Sequence, residues 1–214
     1  VDVLPRLIAE HGDDLAERLE LPRSVLDLLG AVPSYYLRYY YETGSVIAEQ
    51  RDGHTRAGDV MEIERQLLEL YQDQGLAEKP ALLEHRGGAY YSEAAAQLIA
   101  SLHDGAGDVQ VVDVRNDGAI PDLPDAAVVE VACRVDRDGA HPLPLAPLAP
   151  EMRGLVQAAK AYEELAVEAA MSGDRRTAMR ALIANPLVGA EVAGPLLPAL
   201  LDANRAHLPR FFRD

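Results

Sequence analysis

The chain is 214 residues long, the size of one large domain or two small ones, and 49% of its residues are hydrophobic, enough for a packed core. With 35 acidic against 20 basic residues it carries a formal net charge of −15, spread along the sequence as solvated surface, which argues against nucleic acid and anionic membrane as partners because both need basic surface. Cys133 is the one cysteine; it allows no internal disulfide and no cysteine-built zinc site, which fits a reducing cytoplasm, and no apolar run is long enough to span a bilayer.

The opening Val1-Asp2-Val3-Leu4-Pro5 has neither an initiator methionine nor a signal-peptide pattern and reads as the middle of a longer chain. Residues 1–105 read as mostly helical. Leu4, Leu7 and Ile8 have helical spacing, and Pro5 suits a first turn. Leu15 and Leu19, then Val25, Leu28 and Leu29, continue as short helices punctuated by Gly12 and Pro22. Gly30 and Pro33 open the segment Pro33-Ser34-Tyr35-Tyr36-Leu37-Arg38-Tyr39-Tyr40-Tyr41, which holds five of the nine tyrosines in a chain with no Trp and two Phe. On a helix Tyr36, Tyr39 and Tyr40 share one face. Two readings stay open there: an aromatic core face, or a phenol that serves as a base. A free Tyr ionises near pH ~10, so the second reading needs a neighbouring cation or metal.

Residues 55–71 predict an amphipathic helix with Val60, Ile63, Leu67, Leu70 and Tyr71 inward. Arg56 stands at its start, where the helix dipole disfavours a cation; beside free N–H groups it is one way to build an anion site, the alternative being an ordinary surface arginine. Arg38, Arg86 and Arg115 carry the same ambiguity. Lys79-Pro80 and Arg86-Gly87-Gly88 mark loops, and Ser92 suits the cap of a helix over 93–103. The pattern then alternates over 109–114 and 128–135, predicting antiparallel strands around a turn-rich connection at 116–124, with Asp138-Gly139 a further turn. Residues 141–150 are Pro-rich and extended; helices follow over 152–171, 174–184 and 191–206. With no repeat or linker, residues 1–214 read as a single α+β domain, helix-dominated with a small, mostly antiparallel sheet.

Several chemistries lack their motifs. There is no G-x-G-x-x-G after a strand and no phosphate-binding G-x-x-x-x-G-K-[ST], so the chain alone should not hold a dinucleotide. His11, His54, His85, His103, His141 and His207 show no metal-ligand spacing, and no serine has nucleophile-elbow context. His141 sits in the constrained Gly139-Ala140-His141-Pro142-Leu143 loop and is the better candidate for a site wall.

The tyrosine segment, Thr55-Arg56 leading into Val60-Met61-Glu62-Ile63-Glu64, Arg86-Gly87-Gly88-Ala89-Tyr90-Tyr91-Ser92-Glu93-Ala94-Ala95, Val114-Arg115-Asn116-Asp117-Gly118-Ala119-Ile120 and Asp136-Arg137-Asp138-Gly139-Ala140-His141-Pro142-Leu143 occur in this order. Together they resemble the C-terminal domain of glycoside hydrolase family 4, and within it the 6-phospho-β-glucosidases. The resemblance implies a fold of the lactate/malate dehydrogenase C-terminal type and a parent enzyme that depends on NAD and a divalent metal such as manganese, outside the two-carboxylate scheme. In that chemistry the sugar 3-hydroxyl is oxidised, a tyrosine removes the acidified C2 proton, the C1 group is eliminated, water adds and the ketone is reduced again. Carried over by position, the base is Tyr36, with Tyr35 as second choice, and the substrate-phosphate arginine is Arg56. The Arg86–Ser92 and His141 loops look like site-shaping elements without an assigned role. The family's Gly-rich NAD loop and its metal-binding Cys and His belong to an N-terminal Rossmann domain absent from these residues, and Cys133 does not match the ligand motif. The expected partners are a phosphorylated sugar, the missing N-terminal domain and further copies in a homo-oligomer, with the isolated fragment inactive. The alternatives are a sister enzyme acting on α-glycosides or unphosphorylated sugars, a non-catalytic binding or assembly domain, and a lactate/malate-type dehydrogenase domain, against which the missing catalytic His pattern counts.

Overall fold

The computed structural model describes residues 3–53, 55–87 and 90–213. The readings of the chain start at Val1-Asp2, of His54 and of Gly88-Ala89 lie outside the described residues. The architecture is the helix-rich α+β type with a small three-stranded sheet. Contacts divide the chain into two compact units: the described residues of Val1–Thr43, Arg115–Ala127 and Pro144–Asp214 form the first, and those of Gly44–Val114 and Val128–Leu143 the second.

In the first unit α1 spans Leu4–Leu19 and α2 Arg23–Leu29. Gly12 does not punctuate α1 as its composition suggested; it lies mid-helix because the Arg23 guanidinium crosses there, and a Cβ at Gly12 would stand 2.2 Å from Arg23 Cζ. Arg23 donates from Nη2 to Ile8 O (2.9 Å) and from Nε to Asp27 (2.9 Å), which fastens α2 to α1. Leu26 is fully buried in α2, a burial that contributes about 2 kcal/mol. α1 ends where Glu20 turns left-handed (φ 52), its N–H donating to Ala16 O and Glu17 O. The tyrosine segment then forms a 3-10 turn, Tyr35–Leu37, and a short helix α3, Arg38–Tyr41.

Three longer helices complete this unit: α8 (Pro150–Ser172), α9 (Arg175–Ala184) and α10 (Ala190–Ala203). Pro150 opens α8 where no N–H is needed, and Asp174 caps α9 by accepting from the Arg176 and Thr177 N–H groups. Ala169, Ala178, Leu197 and Leu201 form a buried cluster over which Leu208, Phe211 and Phe212 pack. The last predicted helix is shorter than expected: it stops at Ala203 and gives way to 3-10 turns at Arg205–His207 and Pro209–Phe212. Arg175 and Arg205 both stand over the Phe212 ring, with Cζ 5.0 and 3.9 Å from its centroid. Arg210 donates to Met171 O (2.7 Å).

Gly173 closes α8 at φ +76, and a Cβ there would lie 2.3 Å from Arg210 O. Gly173→Ala is therefore expected to cost at least ~2 kcal/mol of stability, combining left-handed strain with a backbone clash. Gly154 in the same helix has open space around its Cβ position, so Gly154→Ala should instead add about 1 kcal/mol. Thermal unfolding of the two variants checks the opposite signs.

The second unit holds α4 (Thr43–Arg51), α5 (Arg56–Leu70), α6 (Leu83–Arg86), α7 (Tyr91–Asp104) and the strands β1 (Asp108–Arg115), β2 (Val128–Asp136) and β3 (Gly139–Pro142) in the order β1-β2-β3, with Thr43 and Arg115 as the terminal residues counted to the first unit. Thr55 caps α5 by accepting from Gly58 N–H. Of the predicted inward face of α5 Leu67 is buried, whereas Leu70 and Tyr71 are 43% and 50% exposed. α7 packs on β2, whose alternating residues Val129, Val131, Cys133 and Val135 are buried. Ser92 is not the cap of α7: the helix starts at Tyr91, which puts Ser92 inside the first turn.

Residues 141–150 start extended, as expected, and the segment 139–142, expected as a constrained loop, is strand β3, paired antiparallel with β2 as Arg134↔His141 and Asp136↔Gly139 around a two-residue turn. His141 is thus a strand residue, its Nε2 3.1 Å from Asp136 Oδ1. The Asp138 N–H donating to Asp136, followed by His141, holds the Asp136 carboxyl below its usual pKa. No helix among the described residues is long and apolar enough to cross a membrane.

Candidate active site

Tyr36 belongs to the first unit and Arg56 to the second, each with its own set of contacts. The tyrosine segment is not the buried aromatic face that a regular helix would give. Its 3-10 start rotates the rings out of a common stripe: Tyr36 is 74% exposed, and the buried side chain of the segment is Arg38, at 9%. The rings pair as Tyr35 with Tyr36 (centroids 6.2 Å apart, planes at 69°) and Tyr40 with Tyr41 (5.1 Å, 81°), so Tyr40 turns to Tyr41 rather than lying under Tyr36.

Tyr35 and Tyr36 differ sharply in what surrounds their hydroxyls. The Tyr35 hydroxyl donates to Glu20 Oε1 (3.1 Å) and accepts from Arg38 Nη1 (3.2 Å). Desolvation raises the Tyr35 pKa above the ordinary phenol value, with Glu20 adding to the rise and Arg38 opposing it. Tyr35 is therefore tied into the protein and a poorer base than a free phenol, while Tyr36 presents its ring to solvent. Arg38, which the sequence left open between an anion site and a surface arginine, is buried and paired with Glu20 (Nη1–Oε2 2.6 Å), a partner no sequence pattern pointed to. The one local signal was a charged residue set among five tyrosines and a leucine.

Arg56 stands at the first position of α5, as predicted, and is exposed. Its Nη2 donates to His85 O (2.8 Å) and Arg86 O (3.0 Å). That accounts for a cation at a helix start: the guanidinium caps the last carbonyls of α6, where positive charge is favourable. Arg86 ties the same two helices again, its Nη2 2.6 Å from Glu64 Oε1. Arg115 pairs with Asp117 (2.7 Å) at the surface.

The donor chemistry of these residues does not fit a metal. Among the described residues no group of three His, Cys, Asp or Glu side chains could hold an ion. Cys133 is fully buried within β2, its Sγ 3.5 Å from Val131 O, and burial pushes its thiol pKa up, away from the thiolate that a ligand requires.

Comparison with known proteins gives the family of the chain. A Bacillus subtilis (strain 168) protein named "Probable 6-phospho-beta-glucosidase" is 44% identical over 193 residues, covering 87% of this chain and 43% of that protein. The 6-phospho-beta-glucosidase of Escherichia coli (strain K12) is 34% identical over 199 residues, covering 90% of this chain and 44% of that protein. The structure of the 6-phospho-beta glucosidase from Thermotoga maritima with manganese, NAD+ and glucose-6-phosphate superposes with a TM-score of 0.86 at 31% identity, covering 97% of this chain and 50% of that one. The chain spans less than half the length of these two curated relatives. The family model described as "Family 4 glycosyl hydrolase C-terminal domain" matches residues 1–188, and on that match the chain belongs to family 4 of the glycosyl hydrolases, as a C-terminal domain.

Proposed function

We propose that the chain, residues 1–214, is the C-terminal substrate domain of a 6-phospho-β-glucosidase, in which Tyr36 is the base that removes the C2 proton of the sugar and Arg56 binds its phosphate. The observation that carries the reading is the pairing of an exposed Tyr36 with a tethered Tyr35 in the segment the family resemblance singles out. A base must reach its substrate, and of the two candidate phenols Tyr36 is the accessible one. The identity to 6-phospho-beta-glucosidases supports the substrate class. NAD and divalent-metal chemistry, which would supply the carbonyl that acidifies the C2 proton, falls to the rest of a longer protein. The domain alone is then inactive, and the working protein is a cytoplasmic homo-oligomer.

Arg56 uses Nη2 to hold α6, which leaves Nε and Nη1 to meet a phosphate as single charge-assisted donors rather than as a two-pronged fork. Arg56→Ala in the full-length parent is expected to lower kcat/KM for a 6-phosphorylated aryl β-glucoside by about 100-fold, the size of a lost charge-assisted contact, and to change the unphosphorylated analogue by less than about threefold. An equal loss on both substrates would assign Arg56 to the α5–α6 joint alone.

A further inference from the structure

We propose that Glu20, Arg38 and Tyr35 act together as positioning residues for Tyr36. The proposal rests on the reading of Tyr36 as the base and adds to it the part of this domain that fixes where the base points. The three side chains close a ring of contacts. Glu20 Oε2 meets Arg38 Nη1 at 2.6 Å, Glu20 Oε1 accepts from the Tyr35 hydroxyl at 3.1 Å, and that hydroxyl accepts from Arg38 Nη1 at 3.2 Å. The Arg38 Cζ also lies 5.6 Å from the Tyr35 ring centroid and 5.9 Å from that of Tyr39. Through this ring the 3-10 turn is fastened to the end of α1, 15 residues earlier in the chain.

Two further observations mark the ring as more than packing. Glu20 is held in the left-handed region (φ 52), which glycine adopts without cost. A side chain is kept at that strained position, and its carboxylate is the anion that meets Arg38. Secondly, the pair joins a buried Arg38 (side chain 11% exposed) to a half-exposed Glu20 (49%), an arrangement that adds little net stability and is better suited to fixing one geometry. The group it fixes is the Tyr35 ring, which stands edge-on to the otherwise exposed Tyr36 ring at 6.2 Å. Tyr36 thus reads its orientation from a neighbour whose own hydroxyl is clamped at both ends. Proton transfer from carbon tolerates little misplacement of the base.

The test uses Glu20→Gln and Tyr35→Phe in the full-length parent, the second removing one hydroxyl and keeping the ring. Both variants are expected to lower kcat about tenfold through a misplaced base, to keep KM within about twofold, and to raise the isotope effect on kcat with C2-deuterated substrate, because proton removal becomes more rate-limiting. Neither should lower kcat further when combined with Tyr36→Phe. The proposal is overturned if both variants change only the thermal midpoint, leaving kcat and the isotope effect as they were, or if their losses multiply with that of Tyr36→Phe. Retained C2 exchange in Tyr36→Phe alone would remove the base assignment and the positioning role together; lost exchange in Tyr36→Phe with unaltered Glu20→Gln and Tyr35→Phe kinetics removes the positioning role only.

Discussion

Tyr36→Phe in the full-length parent is expected to lower turnover by about 10²–10⁴-fold, the usual contribution of a general base, and to abolish exchange of the substrate C2 proton with solvent deuterium. Folding should be nearly unaffected. The ring is 74% exposed and meets Tyr35 edge-on, a contact Phe retains, so the stability change should stay within about 0.5 kcal/mol. The contrast between a large kinetic loss and an unchanged thermal midpoint is the informative result. Exchange that persists in the variant would move the base elsewhere. Tyr35 would be a poor refuge for it, since desolvation already raises its pKa and its proton is committed to Glu20.

The second large effect concerns stability and centres on Asn116, which is fully buried. Its carboxamide nitrogen donates toward Ile120 O (3.0 Å), Leu123 O (3.0 Å) and Pro124 O (3.2 Å), while its oxygen accepts from Ile120 N–H (2.7 Å). One side chain therefore satisfies the backbone of an irregular loop that has no ladder to do so. Asn116→Ala strands these groups and is expected to cost about 3–4 kcal/mol, lowering the thermal midpoint by roughly 10 °C. Asn116→Asp preserves the shape but turns an acceptor toward three carbonyls. Its folded-state carboxyl pKa is raised, so this variant is relatively most stable below the unfolded value of ~3.9 and weakens as pH rises toward the folded one. Unfolding curves of the two variants between acid and neutral pH check both statements; wild-type-like midpoints would show that the loop holds itself.

Asn116 also shows where sequence reading stops. Asn116-Asp117-Gly118 was legible as a turn, because glycine and short polar residues announce one. That Asn116 is the knot of the loop was not, since its partners lie four to eight residues on and are backbone atoms of any identity. The strands at Asp108–Arg115 and Val128–Asp136 were legible from alternation, but Gly139–Pro142 was too short and proline-ended to signal a strand by itself. Its membership is conferred by pairing with β2. At the candidate site the tyrosine segment was visible by composition and Tyr36 by resemblance. The ion pair under it was not visible, because Glu20 and Arg38 belong to different local patterns and meet only when α1 and the 3-10 turn fold together.

The way the chain is threaded has a consequence during synthesis. The second unit has its last segment in hand once residue 143 has emerged from the ribosome, whereas the first, with Tyr36, also draws on residues as late as the Arg210 carbonyl over Gly173. At roughly 5–20 residues per second this leaves several seconds in which the second unit can close before the first has its last segment. In that interval the cluster of Ala169, Ala178, Leu197 and Leu201 lacks the cover of Leu208, Phe211 and Phe212, which makes α8–α10, rather than the sheet, the part of the nascent chain most in need of a chaperone's shelter.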